Sequence, residues 1–320
     1  MGARKYILGK LLAVVGTLWF VLTVNFFMFR MVGDPVADLR RAMRLTPEEV
    51  QQQLEAFGLD RPLSQQYLTY MGQTLQGNLG RSYTSGQPVT EVIAGKLGPT
   101  LLLVGLSTLF STIIGVLIGI RGAWRRGSRF DSSTMIGGMF FYSTPDFWLG
   151  MIFLMVFAAG LGWFPVGGLS SYDSTGFAHI MDIAWHLFLP VLVLTVGYVA
   201  EYHLVMRGTL LDVMNEDFVQ IARAKGLSDK DVRWKHAVPN ALLPITTMVI
   251  LYFAYVLGGS IGVEIIFSYP GLGQLIDGTV SNQDYPVMQG VFLLYSATVI
   301  FGNLIADVIY GYLDPRVREA

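Results

Sequence analysis

Four stretches of this chain, 11–29, 99–120, 241–263 and 287–306, contain no Asp, Glu, Lys or Arg at all. At a rise of about 1.5 Å per residue, roughly 20 apolar residues cross the ~30 Å hydrocarbon layer of a bilayer, and a helix is the form that satisfies its own backbone there. Two further stretches are as long but interrupted, 135–159 by Asp146 and 185–206 by His186, Glu201 and His203. The expectation is an all-α polytopic membrane protein with six transmembrane helices. Composition agrees, with 52% hydrophobic and 14% charged residues, against roughly 25% charged in soluble domains. A net charge of -1 leaves no positive excess for nucleic acid, and the absence of cysteine removes disulfides, thiolate metal sites and cysteine nucleophiles.

The Lys/Arg bias sets orientation. Arg4, Lys5 and Lys10 precede the first stretch, and Arg121, Arg125, Arg126 and Arg129 follow the second. Arg207, Arg223, Lys225, Lys230, Arg233 and Lys235 follow the fourth, and Arg316 and Arg318 lie near the end. Segments 160–184 and 264–286 have no Lys or Arg. Both termini are therefore expected in the cytoplasm. The basic front of the first stretch resembles a signal peptide, but the stretch is too long and no small-x-small cleavage pattern follows, so it reads as an uncleaved span. Tyr6 breaks the pattern for N-myristoylation. The chain divides into a first helix with an external segment (1–98), a five-helix core (99–310) containing a cytoplasmic loop (207–239), and a cytoplasmic tail (311–320).

In the external segment, Thr46-Pro47-Glu48-Glu49 forms a capping box that opens a helix with Val50, Leu54 and Phe57 on one face and Gly58 as its stop. Packing on the outer ends of the spans is favoured over reception of a substrate or partner, because an apolar stripe at this spacing is usually buried.

The loop 207–239 is the most informative stretch. Helical composition runs from Gly208 to Lys225, Gly226 is placed to end that helix, and Ser228 with Asp231 forms a second capping box. Two short helices joined at Gly226 cannot span. Six bases interleave with Asp212, Glu216, Asp217, Asp229 and Asp231, whereas a membrane-surface helix is strongly basic on its polar face, so a protein partner is favoured.

Catalytic patterns are missing. The four histidines, His179, His186, His203 and His236, show no zinc-binding helix spacing, and neither a Gly-x-Ser-x-Gly turn nor a phosphate loop is present. Any ATP must be bound by another chain. Ionisable residues within spans are candidates for function. Asp146, after Pro145, reads equally as lining a substrate path or as sitting near the cytoplasmic interface if the third span starts at Phe147. Glu201, His203 and Arg207 are read as snorkelling and pairing with one another, and Gly115-x-x-x-Gly119 and Gly258-x-x-x-Gly262 as helix-packing sites. The short outer segments carry Asp173, Asp182, Glu264, Asp277 and Asp284 without a Lys or Arg. That suits either an ammonium or metal-cation cargo or simple depletion of positive charge outside, and Glu264 joins Asp146 as a candidate for the translocation path.

The run Phe218-Val219-Gln220-Ile221-Ala222-Arg223-Ala224-Lys225-Gly226-Leu227-Ser228, continuing to Lys235-His236-Ala237 and Asn240-Ala241-Leu242-Leu243-Pro244, resembles the cytoplasmic EAA loop of ABC-importer permeases of the dipeptide, oligopeptide and nickel group. Gly33-Asp34-Pro35, Gly58-Leu59-Asp60-Arg61-Pro62 and Gly77-Asn78-Leu79-Gly80-Arg81-Ser82 extend the match. So do Phe147-Trp148-Leu149-Gly150, Gly162-Trp163-Phe164-Pro165-Val166-Gly167-Gly168, Tyr269-Pro270-Gly271-Leu272-Gly273, Asp284-Tyr285-Pro286 and Leu313-Asp314-Pro315-Arg316.

The resemblance implies a type I ABC-importer permease of the first-permease type in a bacterial or archaeal cytoplasmic membrane. Its implied partners are a second permease, two ATPase subunits that bind ATP and magnesium, and an extracytoplasmic substrate-binding protein; this chain itself needs no cofactor and is not an enzyme. Phe218, Gln220, Ala222, Arg223, Ala224, Lys225, Gly226, Ser228, Asp231 and Pro239 are the implied ATPase-coupling residues. Glu-Ala-Ala of the family falls on Gln220-Ile221-Ala222, and Pro239 stands where this group often has a basic residue. Short peptides are the implied cargo, ahead of nickel complexes and oligosaccharides. A proton-coupled secondary transporter using Asp146 and Glu201 is the reading from a different class.

Overall fold

A computed structural model describes residues 3–31, 48, 60–171 and 175–313. Among these residues the chain is helical, with a lone antiparallel bridge between Arg81 and Pro88. The capping box at Thr46 and the helix expected behind it lie outside the described residues, apart from Glu48.

The helices are α1 (Ala3–Met31), α2 (Leu63–Leu75), α3 (Val89–Trp124), α4 (Arg129–Tyr142), α5 (Asp146–Phe153), α6 (Gly176–Val213), α7 (Asp217–Ala224), α8 (Asp229–Asp231), α9 (Val238–Ala241), α10 (Leu243–Gly259), α11 (Ile261–Ile266), α12 (Leu272–Ser281) and α13 (Tyr285–Leu313). Wide π-type turns continue α5 through Leu154–Gly160 and join α8 to α9 through Val232–Ala237. Among the described residues, four helices are long and apolar enough to cross a membrane: Gly9–Arg30, Val89–Trp124, Gly176–Val213 and Tyr285–Ile309.

Two expected spans are not single helices. The stretch 135–159 bends by 97° between α4 and α5. Pro145 is the cause: it cannot donate to the ladder, it disfavours helical geometry at Thr144, and its own extended backbone (φ -60, ψ 132) caps the new helix that begins at Asp146. Asp146 thus opens a helix instead of lying in the middle of one. The stretch 241–263 is divided among α9, α10 and α11. In the cytoplasmic loop, the single helix expected from Gly208 to Lys225 is interrupted. α6 ends at Val213, a turn follows, and α7 starts at Asp217, with Gln220 Nε2 donating to Met214 O at 3.1 Å across the turn.

The chain folds as two compact units, 1–100 with 270–304 and 101–269 with 305–320. In the first unit, α2 packs along the last turns of the first span. Phe26 is buried with its edge to Tyr67 (5.4 Å), Thr23 and Tyr67 share a hydrogen bond, and Asn25 Nδ2 donates to Tyr70 Oη and to Gln289 O. Asp284 anchors the segment before α3 by accepting from Ser82 Oγ (2.5 Å) and from the backbone N–H of Tyr83 (3.0 Å) and Thr84 (3.3 Å). Thr100 Oγ1 accepts from the first N–H of α12 at 2.8 Å, a donor that has no partner within its own helix.

In the second unit, α3 and α6 pack through Gly115 and Gly119, as expected of that spacing. A Cβ at Gly115 would lie 2.6 Å from Tyr202 Cβ, and one at Gly119 2.8 Å from Met206 Cβ. Gly262 instead abuts Phe147. One core gathers Leu103, Leu149, Leu187, Val193, Val263 and Phe267. The Gly167-Gly168 pair passes directly over the Phe267 carbonyl, which accepts from Gly168 N–H at 2.9 Å; a Cβ at Gly167 would sit 2.5 Å from that oxygen. Side chains are excluded there by contact.

Candidate docking loop and path residues

The loop helices are made by local signals. α7 ends in a Schellman motif, with Leu227 N–H bonded to Ala222 O and Gly226 N–H to Arg223 O, and Gly226 has φ +78. Ser228 caps α8, accepting from Asp231 N–H at 3.1 Å while its hydroxyl donates to the Asp231 carboxylate. Asp231 also pairs with Lys235 at 2.6 Å, and these two partners hold its carboxyl below the usual range.

Packing decides what these helices offer. Val219 and Ala222 of α7, with Val232, Ala237, Val238 and Ala241 beyond it, are buried in one cluster with Ile120, Tyr202, Met206 and Leu210. The loop is therefore seated on the ends of α3 and α6. On the other side, Phe218 (41% exposed), Ile221 (53%), Leu227 (42%) and Trp234 (45%) face outward. Gln220, Arg223, Ala224, Lys225, Gly226, Ser228 and Pro239 are exposed around them. A helix eight residues long with apolar residues on both sides buries one side in its own chain and presents the other.

Sequence reasoning missed two residues. Trp124, at the end of α3, donates from Nε1 to Asp229 Oδ2 at 2.7 Å, and the guanidinium groups of Arg233 (5.1 Å) and Arg223 (5.7 Å) lie over its ring. It ties both loop helices to one span. Asp131, in α4, receives Arg207, which was expected to pair with Glu201 or His203. That expectation is corrected: both carboxylate oxygens of Asp131 bind Arg207, and Gly127 N–H donates to the same group. Nothing local in the sequence marks either residue.

Of the path candidates Asp146 and Glu264, only Asp146 lines a cavity of about 310 Å³ at the α4–α5 bend, where it meets Glu201, Ser143, Thr144 and Tyr198. Gly197 leaves room for the carboxylate, since a Cβ there would collide with Asp146 Oδ1. Glu264 is fully buried and accepts from Ser260 Oγ at 3.1 Å. Of the other outer acids, Asp182 accepts from Ser171 and contacts His186, and Asp284 holds the 82–84 turn. No group of three or more His, Asp or Glu side chains suited to a metal ion occurs among the described residues.

Residues 111–319 match the family described as binding-protein-dependent transport system inner membrane component, and residues 3–104 match the N-terminal family of such membrane components. The chain belongs to this family. It is 38% identical to the di/tripeptide transport system permease protein DppB of Pseudomonas aeruginosa, over 98% of this chain and 99% of that one. It is 36% identical to the oligopeptide transport system permease protein AppB of Bacillus subtilis and 37% to the glutathione transport system permease protein GsiC of Escherichia coli, each with the same coverage. A chain of the MetNI methionine ABC transporter, in an inward-facing structure, shares the fold with a TM-score of 0.54 at 18% identity, covering 70% of this chain and 97% of that one. This family member is a multi-pass membrane protein and a transport component, and none of these relatives favours the proton-coupled reading.

Proposed function

We propose that this chain is one of two permease subunits of an ATP-binding cassette importer for short peptides. The names of the full-length relatives, which include di/tripeptide, oligopeptide and glutathione permeases, support the cargo class. The observation that carries the reading is the two-sided loop helix α7, with Val219 and Ala222 buried and Phe218 and Ile221 exposed. The exposed side, with Leu227 and Trp234, docks on an ATPase subunit. The buried side and the Trp124 clamp pass its movement to the spans. ATP and magnesium belong to two such ATPase subunits, and cargo arrives from an extracytoplasmic binding protein; this chain hydrolyses nothing and holds no cofactor.

Counting the bent α4–α5 pair as one span and the 241–263 stretch as another brings the total to six, with both termini in the cytoplasm as the basic residues require. Asp146 and Glu201 then face the path, where they favour a peptide's ammonium group.

The test is co-purification of the chain with its ATPase, together with uptake of labelled di- and tripeptides. Gly226→Val has open space for its side chain but a left-handed backbone that costs a β-branched residue about 1–2 kcal/mol, so it distorts the helix junction without a clash. Association and uptake are both expected to fall. Unchanged association and uptake in that variant would overturn the assignment.

A further inference from the structure

A second cavity, of about 390 Å³, lies within the first unit and is lined by Arg30, Arg61 and Arg81 together with Tyr70, Tyr83 and Gln289. No acidic residue is among its described lining. The nearby acid, Asp284, spends both oxygens on Ser82, Tyr83 and Thr84. Arg30 packs its guanidinium over Phe26, and its Nε is buried with no hydrogen-bond acceptor. Arg81 uses one nitrogen on Gly86 O. Burial holds the Tyr83 phenol up at about 12, so it stays neutral and contributes no charge to balance the arginines.

Three arginines lining one concave site focus positive potential, and their planar guanidinium forks match the oxygens of a phosphate or carboxylate. The height of the site selects between them. Arg30 is the last residue of the first apolar span. α2 lies along the end of that span with Tyr67 and Tyr70 against it, has no buried residue of its own, and turns Leu68 (69% exposed) and Leu75 (77%) outward on one stripe. Tyrosines at a span end beside a helix with exposed leucines are the marks of the headgroup layer. We propose that this cavity seats the phosphate of an anionic phospholipid headgroup.

The experiment uses the full-length chain, stripped of lipid in detergent and titrated with short-chain phosphatidylglycerol, short-chain phosphatidylcholine or inorganic phosphate, with thermal stability and native mass spectrometry as readouts. Phosphatidylglycerol is expected to raise the melting temperature and remain bound, while phosphatidylcholine, whose cationic choline faces the arginines, does neither. Arg61 and Arg81 are exposed, so the double variant R61Q/R81Q keeps the fold and is expected to need at least tenfold more phosphatidylglycerol. Arg30→Gln should act in the same direction, and Arg30→Lys should restore part of the binding. An unchanged phosphatidylglycerol response in R61Q/R81Q overturns the site. Equal responses to phosphatidylcholine, or saturation by inorganic phosphate at the concentrations at which phosphatidylglycerol acts, overturn the lipid as its occupant.

Discussion

Arg207 grips Asp131 with two hydrogen bonds, Nε to Oδ1 at 2.6 Å and Nη2 to Oδ2 at 2.9 Å. The pair joins α6 to α4 at side chains that are 16% and 3% exposed. Removing Asp131 leaves the partly buried Arg207 guanidinium without its counter-charge, at a cost of about 1–3 kcal/mol. Asp131→Ala is therefore expected to lower the unfolding temperature of the detergent-solubilised protein sharply, and D131N/R207Q to recover part of the loss. A double-mutant cycle by thermal unfolding measures the coupling, and additive single effects would refute it.

Gly115 and Gly119 predict a steric result. Because a Cβ at Gly115 would meet Tyr202 Cβ at 2.6 Å and Val199 O at 2.8 Å, Gly115→Val must push α3 from α6, at a cost of about 1–3 kcal/mol or more. Gly95, in the same helix, has nothing within 4 Å, so Gly95→Ala should be neutral or stabilise by about 0.5–1 kcal/mol. Thermal unfolding of the two variants side by side distinguishes contact from helix propensity.

Trp124→Ala removes a hydrogen bond to Asp229 and the surface under two arginines. Each cation–π contact at such a site is worth about 0.5–1 kcal/mol. Faster amide exchange over 217–231 is the expected outcome, with ATPase association retained and peptide uptake reduced. Trp124→Phe, which keeps a ring but not the donor, should fall between the two. Unaltered exchange in Trp124→Ala would remove the clamp from the account.

The Asp231 carboxyl is held below its usual value by Lys235 and by Ser228. A depressed carboxyl contributes stability that is present above the unfolded value, near 3.9, and is lost as pH falls through the lower folded one. The start of α8 should thus be insensitive to pH from neutrality down to about 4 and fray only below it. Amide exchange at Val232 measured against pH checks this, and Asp231→Asn should abolish the acid-dependent step.

Much of the architecture was legible because it follows from short-range rules. Three of the four uncharged runs became long apolar helices, the Ser228–Asp231 spacing became a cap, and Gly226 took the left-handed conformation that ends α7. One misreading let overall composition outweigh a local helix breaker, and another arose where a neighbour in space outweighed neighbours in sequence. The 135–159 run looked continuous by composition, yet Pro145 turns it by 97°. Glu201, His203 and Arg207 share a helix end, but Arg207 found its counter-charge 76 residues away.

The sequence by itself determined that this chain lives in a bilayer and that two short capped helices meet at Gly226, since hydropathy and capping act over a few residues. Tertiary structure alone decided which side of α7 is left for a partner, that Trp124 binds the loop to a span, that Asp146 and Glu201 share a cavity, and that three separated arginines line another. Those outcomes depend on distances between residues far apart along the chain, which only the packing of helices against one another establishes.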